Sequence, residues 1–324
     1  MTRWAVRLAL GYRPRRMDAA TQHLRARFAE LAAAPDAALD LGELAAIIGA
    51  EEDPPVDVDA VLDELDALAD GVAPRLRGFT RPRERVDLML AYLVRELGFR
   101  GDEAEYDDPR NSCLHALLRR RVGLPITLSV LLMEVGRRVG LPVVGVGLPA
   151  HFLALAPELP GVYIDMFHGG RLLSEHECKN LLRQKTSGGV EFDRDMLSPV
   201  STRQILLRML QNLKNAYSRR GGLERALAAS DRILLLAPAL AEEHRDRGLL
   251  QMQRRAFRAA ADDLNQYLLL APMAADRHTV AARANEARAR AKQANCAGRT
   301  GQPHGTAARD SRTGQPNGTA ERDS

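Results

Sequence analysis

The chain has 324 residues, enough for about two domains with a sizeable core. Apolar residues make up 45% but aromatics only 4%, so that core must be built mainly from Leu, Ala and Val. The net charge of +4 is mild, and no long basic block is interleaved with aromatics, so no nucleic-acid partner is expected. Cys113, Cys178 and Cys296 are odd in number and widely spaced, which fits a reducing compartment and excludes a disulfide framework. They form no metal-spacing cluster, so no metal or other cofactor is expected. The apolar stretch Trp4–Leu10 is short and broken by Arg7, which makes a poor signal sequence. No run reaches the ~18 apolar residues of a membrane span, and the expected setting is cytoplasmic, away from membranes.

Residues 1–17 are basic and read as a disordered leader, and 18–101 as a helical N-terminal region. Val58, Val61, Leu62, Leu65, Leu68, Ala69 and Val72 recur at helical spacing, with Asp57 placed to cap the start and Pro74 to end the helix. A second helix spans about Glu84 to Leu97 and stops at Gly98. Residues 102–200 form a mixed segment. Asp107-Asp108-Pro109-Arg110-Asn111-Ser112-Cys113 is a turn-rich entry to a helix that ends in Arg119-Arg120-Arg121. Pro125 then opens a helix over Ile126–Val139 that is apolar on most sides and closed by Gly140, so it should lie in the middle of this unit. Strands follow at Pro142–Gly147, His151–Ala156 and Val162–Phe167, the last two close enough to pair antiparallel.

From Ser201 the texture is helical and repetitive. Ala226 and Ala260, Leu235 and Leu269, and Pro238 and Pro272 are each 34 residues apart, the period of tetratricopeptide repeats (TPR). Tyr217 takes the aromatic position of the first unit, and Gln251 replaces it in the second. Two such units over 201–293 are too few to stand alone and must lean on the preceding segment. Residues 294–324 contain a 13-residue tandem duplication, Arg299–Ser311 and Arg312–Ser324, with the composition of a disordered tail.

A helix, then a strand bearing His151, then a strand bearing Asp165 is the order used by cysteine-nucleophile acyl-transfer enzymes. In those enzymes a helix-start thiol attacks, the imidazole shuttles the proton and the carboxylate orients it. Across a hairpin, His151 and Asp165 can meet side by side. The opposing reading is a half-buried histidine with its Nδ1 bonded to a carboxylate.

The motifs Asn111-Ser112-Cys113-Leu114, Arg120 to Ser129 and Gly147-Leu148-Pro149-Ala150-His151-Phe152 resemble those of the bacterial Sir-B-type proteins. So do Ile164-Asp165-Met166-Phe167-His168-Gly169-Gly170 and, in the repeat region, Glu243-His244-Arg245-Asp246-Arg247-Gly248. The resemblance covers about residues 25–285. It implies an α+β fold: a helical N-terminal region, a transglutaminase-like (papain-like) core and C-terminal α-helical repeats. It also implies that His151 and Asp165 match the superfamily's His and Asp, and that its thiol would fall 15 residues before Gly140. Pro125 stands there.

Cys113, one helix upstream, is expected to pack under its loop, with a nucleophilic role as the alternative. Thr127 and Ser129 are expected to cap the helix or bond to backbone, and Cys178 to lie at a loop-to-helix junction with no oriented base. His168, in a Gly-Gly turn, is expected to be exposed. Asn111, Ser112, Phe152 and the helix start would line a groove around a remnant His151–Asp165 dyad. Tyr217, Ala226, Pro238, Gly248, Ala260 and Pro272 would build the repeats. The expected function is non-catalytic binding of a protein or peptide partner in a regulatory setting. The alternative is a cysteine-dependent hydrolase or acyltransferase using Cys113 with His151 and Asp165.

Overall fold

A computed structural model describes residues 19–49 and 56–299, with side chains to residue 294. The leader at 1–17 and the duplicated tail beyond Arg299 lie outside the described residues. The N-terminal helices are α1 (Ala19–Ala32), α2 (Leu41–Ile48), α3 (Val58–Val72) and α4 (Pro82–Leu90). Asp57 caps α3 by accepting a hydrogen bond from the Ala60 N–H at 3.2 Å, and the stripe Val61, Leu65, Leu68, Ala69 and Val72 is buried. Instead of running on as α-helix to Leu97, α4 passes into a π turn over Ala91–Glu96, ended by Gly98 at φ +77°.

A short strand β1 (Arg100–Gly101) pairs in parallel with β2 (Val122–Gly123) on either side of α5 (Leu114–Arg120). Helix α6 (Pro125–Arg138) follows, with Ile126, Leu128, Val130, Leu131, Leu132 and Val135 all buried, and Gly140 turns the chain at φ +63°. Strands β3 (Val144–Val146), β4 (Leu153–Leu155), β5 (Tyr163–Asp165) and β6 (Arg171–Leu173) form an antiparallel meander in that order. The β4–β5 pair has the expected sense, with Ala154 opposite Ile164 and Leu155 opposite Tyr163. Both strands are shorter than their apolar runs suggest, and β6 lies beyond the stretch whose pattern announced strand.

Strand alternation divides the sheet between two clusters. Phe152, Ala154 and Ile164 join the main core, which spans the N-terminal helices and α6. Leu153, Tyr163 and Leu173 join a smaller cluster with Cys178 and Leu182 of α7 (Glu175–Lys185), a helix opened by a Ser174–Glu177 capping box.

The repeats are α8 (Thr202–Arg219) with α9 (Leu223–Leu236), then α10 (Ala241–Gln253) with α11 (Phe257–Leu270), followed by α12 (Arg277–Arg299). Helix α12 continues past residue 293 into the stretch read as tail. Ala226 and Ala260 are fully buried, Tyr217 is 4% exposed, and Pro238 and Pro272 fall in the turns after α9 and α11. At Gly248 a Cβ would sit 2.8 Å from the Leu264 side chain, so the missing side chain lets α10 approach α11. Gln251, at the aromatic position, leaves its buried Oε1 without a hydrogen-bond partner in the protein, the cost of that replacement.

Polar groups bind the repeat helices to one another. Lys214 Nζ lies 2.6 Å from Glu243 Oε2 and 3.1 Å from Asp246 Oδ2, and the Ser230 hydroxyl donates to the other Glu243 oxygen. Arg247 donates to both oxygens of Asp263, and His244 Nδ1 is 3.0 Å from Oδ1 of the same carboxylate.

Lys214 and Glu243 are 6% and 2% exposed, so removing one partner strands the other charge in the interior. Lys214→Met should cost about 3–5 kcal/mol of stability, read by urea unfolding. Loss of the exposed Arg83–Asp87 pair through Arg83→Ala should cost less than about 1 kcal/mol.

Candidate functional site

The loop after β3 aims His151. His151 N–H donates to the Leu148 carbonyl, and Ala150 sits at φ +58°, a left-handed conformation that a residue with a Cβ rarely adopts. Arg208 of α8 holds this loop from outside, donating to the carbonyls of Leu148 (2.9 Å) and His151 (2.5 Å) while its guanidinium lies over the Phe152 ring. Phe152 is a core residue, 2% exposed.

Asp165 is the last residue of β5. Its Oδ1 is 3.0 Å from His151 Nε2 and accepts the backbone N–H groups of Phe167 (3.2 Å) and His168 (3.3 Å). Its Oδ2 is 2.6 Å from His168 Nδ1. The two imidazoles stack with centroids 5.5 Å apart, and the Phe167 ring stands edge-on to both. Burial opposes ionisation of Asp165, but the hydrogen bonds and charges of His151 and then His168 outweigh it and bring the pKa down to about 2. An ionised carboxylate only accepts, so both rings present N–H to it.

The order of His and Asp in the chain thus becomes a contact, but its details differ from expectation. His151 faces Asp165 through Nε2 rather than Nδ1, it precedes β4 rather than lying in it, and its side chain is 1% exposed. It does not line an open groove. His168 is not a free turn residue: its side chain is 30% exposed and bonded to Asp165. The residue lies three positions after Asp165, a spacing that could have flagged it, but the following Gly-Gly read as a turn and nothing more. With Asp165, His168 borders a pocket of about 320 Å³ walled by Arg171 of β6 and by Glu177, Gln184 and Lys185 of α7.

The start of α6 is a separate locality. Thr127 Oγ1 donates to the Asn111 carbonyl at 2.8 Å, and Ser129 Oγ to the Pro125 carbonyl at 2.9 Å. Asn111 is itself fixed, its amide donating to Glu105 O and its side-chain oxygen accepting from Arg120. Buried Ser112 has no hydrogen-bond partner in the protein for its hydroxyl. It borders a smaller pocket of about 110 Å³ with Tyr106, Asp108, Leu124 and, from α8, Asn212 and Asn215. Desolvation works against the charge on Asp108, but hydrogen bonds and charge from Arg110, with Arg120 behind it, hold its pKa below the usual range.

Cys113 is fully buried ahead of α5, with its thiol 3.6 Å from the Pro109 carbonyl. Among the described residues, the donor atoms gathered within 4.8 Å of one another at Asp165 are those of His151, Asp165 and His168, with no thiol. Cys178 lies in the first turn of α7, its N–H donating to the carbonyl of the capping residue Ser174, at the loop-to-helix junction expected of it. Burial first, then the negative charges of Asp165 and Glu177, push its thiol up to about 12.

Neither thiol is therefore set up as a nucleophile. In a Cys296→Ser background, a disulfide-exchange reagent at pH 8 should label both Cys113 and Cys178 at least about a hundredfold more slowly than in urea-unfolded protein. Fast native labelling of Cys113 that is lost in His151→Ala would reverse this assignment.

A transglutaminase-like superfamily model matches residues 59–211, and a tetratricopeptide repeat model matches 213–285. A UPF0162 protein of Xylella fastidiosa is 39% identical over 250 residues, covering 75% of this chain and 88% of that protein. A UPF0162 protein of Pseudomonas aeruginosa is 32% identical, covering 71% and 84%. Protein SirB1 of Salmonella typhimurium is 25% identical, covering 65% and 79%. With the helical N-terminal region, the α+β core and the repeats in this order, the chain belongs to the UPF0162 family, the SirB-type proteins in which a transglutaminase-like core precedes tetratricopeptide repeats.

Proposed function

We propose that this protein is a non-catalytic binding protein that engages a protein or peptide partner through its repeats, in a regulatory role. The observation that carries this reading is the missing nucleophile. Pro125 occupies the helix start where the superfamily resemblance puts the thiol, and among the described residues the cluster at Asp165 contains no sulfur. Cys113 with His151 and Asp165 would need its fully buried thiol to leave the Pro109 carbonyl.

The repeats supply the binding side of the argument. Leu235 and Leu269, equivalent under the 34-residue period, are 42% and 74% exposed, and Met273 beyond α11 is 93% exposed. A leucine that recurs with the repeat yet faces solvent is spare apolar surface of the kind that partners cover. Among the described residues no helix is long and apolar enough to cross a membrane, so this surface is not explained by a spanning segment.

The Leu269→Asp/Met273→Asp double variant changes exposed positions and should fold normally by circular dichroism. It should reduce recovery of cross-linked partner protein from extracts of the native host at least tenfold, whereas His151→Ala should retain it. Thiol-dependent turnover of acyl esters or amides that disappears in Cys113→Ser would overturn the proposal, as would partner recovery indifferent to the double variant.

A further inference from the structure

The cluster at Asp165 contains more than a dyad needs. A carboxylate that orients one imidazole uses one oxygen, yet here the second oxygen holds a second imidazole, that of His168, at 2.6 Å. We propose that His151, Asp165 and His168 form a binding site for a divalent transition metal, with a two-imidazole, one-carboxylate donor set of the kind that takes zinc or ferrous iron.

Three features of the geometry support it. The ligating atoms lie within 4.8 Å of one another, and the two nitrogen–oxygen separations are 3.0 and 2.6 Å. Ligands at roughly 2.1 Å from one ion stand about 3–4 Å apart depending on the bond angle, so ring rotations that shift each nitrogen by less than about 1 Å close the site. Both rings would bind through the nitrogens that now face the carboxylate, with the ring proton carried on the other nitrogen. The carboxylate is held in place by the Phe167 and His168 N–H groups, the kind of outer support that orients metal ligands. The site also has an entry. His151 closes the inner side, while His168 and Asp165 border the pocket of about 320 Å³, where water or a ligand oxygen can complete the coordination. The cations of that pocket do not bar the way. Arg171 lies 3.6 Å from Glu177, and the Lys185 ammonium lies over the Phe167 ring.

The test uses the full chain without a histidine tag, stripped with a chelator and titrated with Co²⁺ and Zn²⁺. One ion per chain should bind in the micromolar range or tighter, with visible Co²⁺ bands of a low-coordinate site. X-ray absorption on the zinc form should show nitrogen and oxygen neighbours, two imidazoles among them, and no sulfur. His168→Ala, at a partly exposed position, should weaken binding at least tenfold, while its far-UV circular dichroism shows that the apo chain still folds despite the donor lost at Asp165. His176→Ala, a surface histidine on α7, should bind as wild type. Absence of stoichiometric uptake, a sulfur neighbour, or wild-type affinity in His168→Ala would overturn the proposal.

Discussion

The docking of α8 is the constraint on which the other parts of the molecule depend. This helix is at once the first helix of the repeats and a wall of the core, and Ile205, Leu206, Met209, Leu210 and Leu213 are buried along it. Arg203 fixes its start. The side chain donates to the carbonyls of Ala32, Ala34 and Leu236, and the backbone N–H to Asp36, so one residue joins α1, the loop after it and the end of α9. Arg208, one and a half turns on, ties the same helix to the loop of His151. A planar guanidinium with five donors suits such multiple carbonyl capture better than a lysine would. Two repeats bury too little surface to stand alone, and α8 is where they borrow the rest.

The same docking shapes the site. Arg208 is buried enough that desolvation pulls its pKa below the usual value, against the opposing pull of Tyr106, so its carbonyl partners must repay that cost. It is therefore a structural clamp, and it closes the outer side of the loop that aims His151. Helix α8 contributes Asn212 and Asn215 to the small pocket at the α6 start, and Arg208 to the His151 loop. The repeat helix thus borders both localities, the start of α6 and the loop of His151.

What was legible in the sequence follows from the range over which each signal acts. Helices α3 and α6 were readable because period, cap and terminator all lie within one helix. The β4–β5 hairpin was readable because its loop is short, and the meeting of His151 with Asp165 followed from that hairpin. Strand β6 and the π turn after α4 were not readable, since a three-residue strand carries almost no alternation and a π turn keeps the helical pattern of its neighbours. Arg203 and Arg208 reach partners up to 171 residues away, and among the many arginines of this chain nothing local marks these two. His168 was misplaced for a different reason. Its neighbours Gly169 and Gly170 do adopt positive φ, so the turn was real, but the turn bends the imidazole back onto Asp165 instead of out to water.

The accounting at Asp165 shows why the cluster persists as a structural unit whatever it binds. Four donors meet this carboxylate, His151 Nε2 and the Phe167 and His168 N–H groups at Oδ1 and His168 Nδ1 at Oδ2, so neither oxygen is left without a partner. A buried polar group that is fully satisfied rigidifies its surroundings, whereas a partly satisfied one destabilises them. Taking away a nucleophile costs this network nothing, because no thiol is among its donors. Taking away His151 or His168 opens a gap at a buried charge. Packing and charge satisfaction are therefore sufficient to hold His151 and His168 against Asp165.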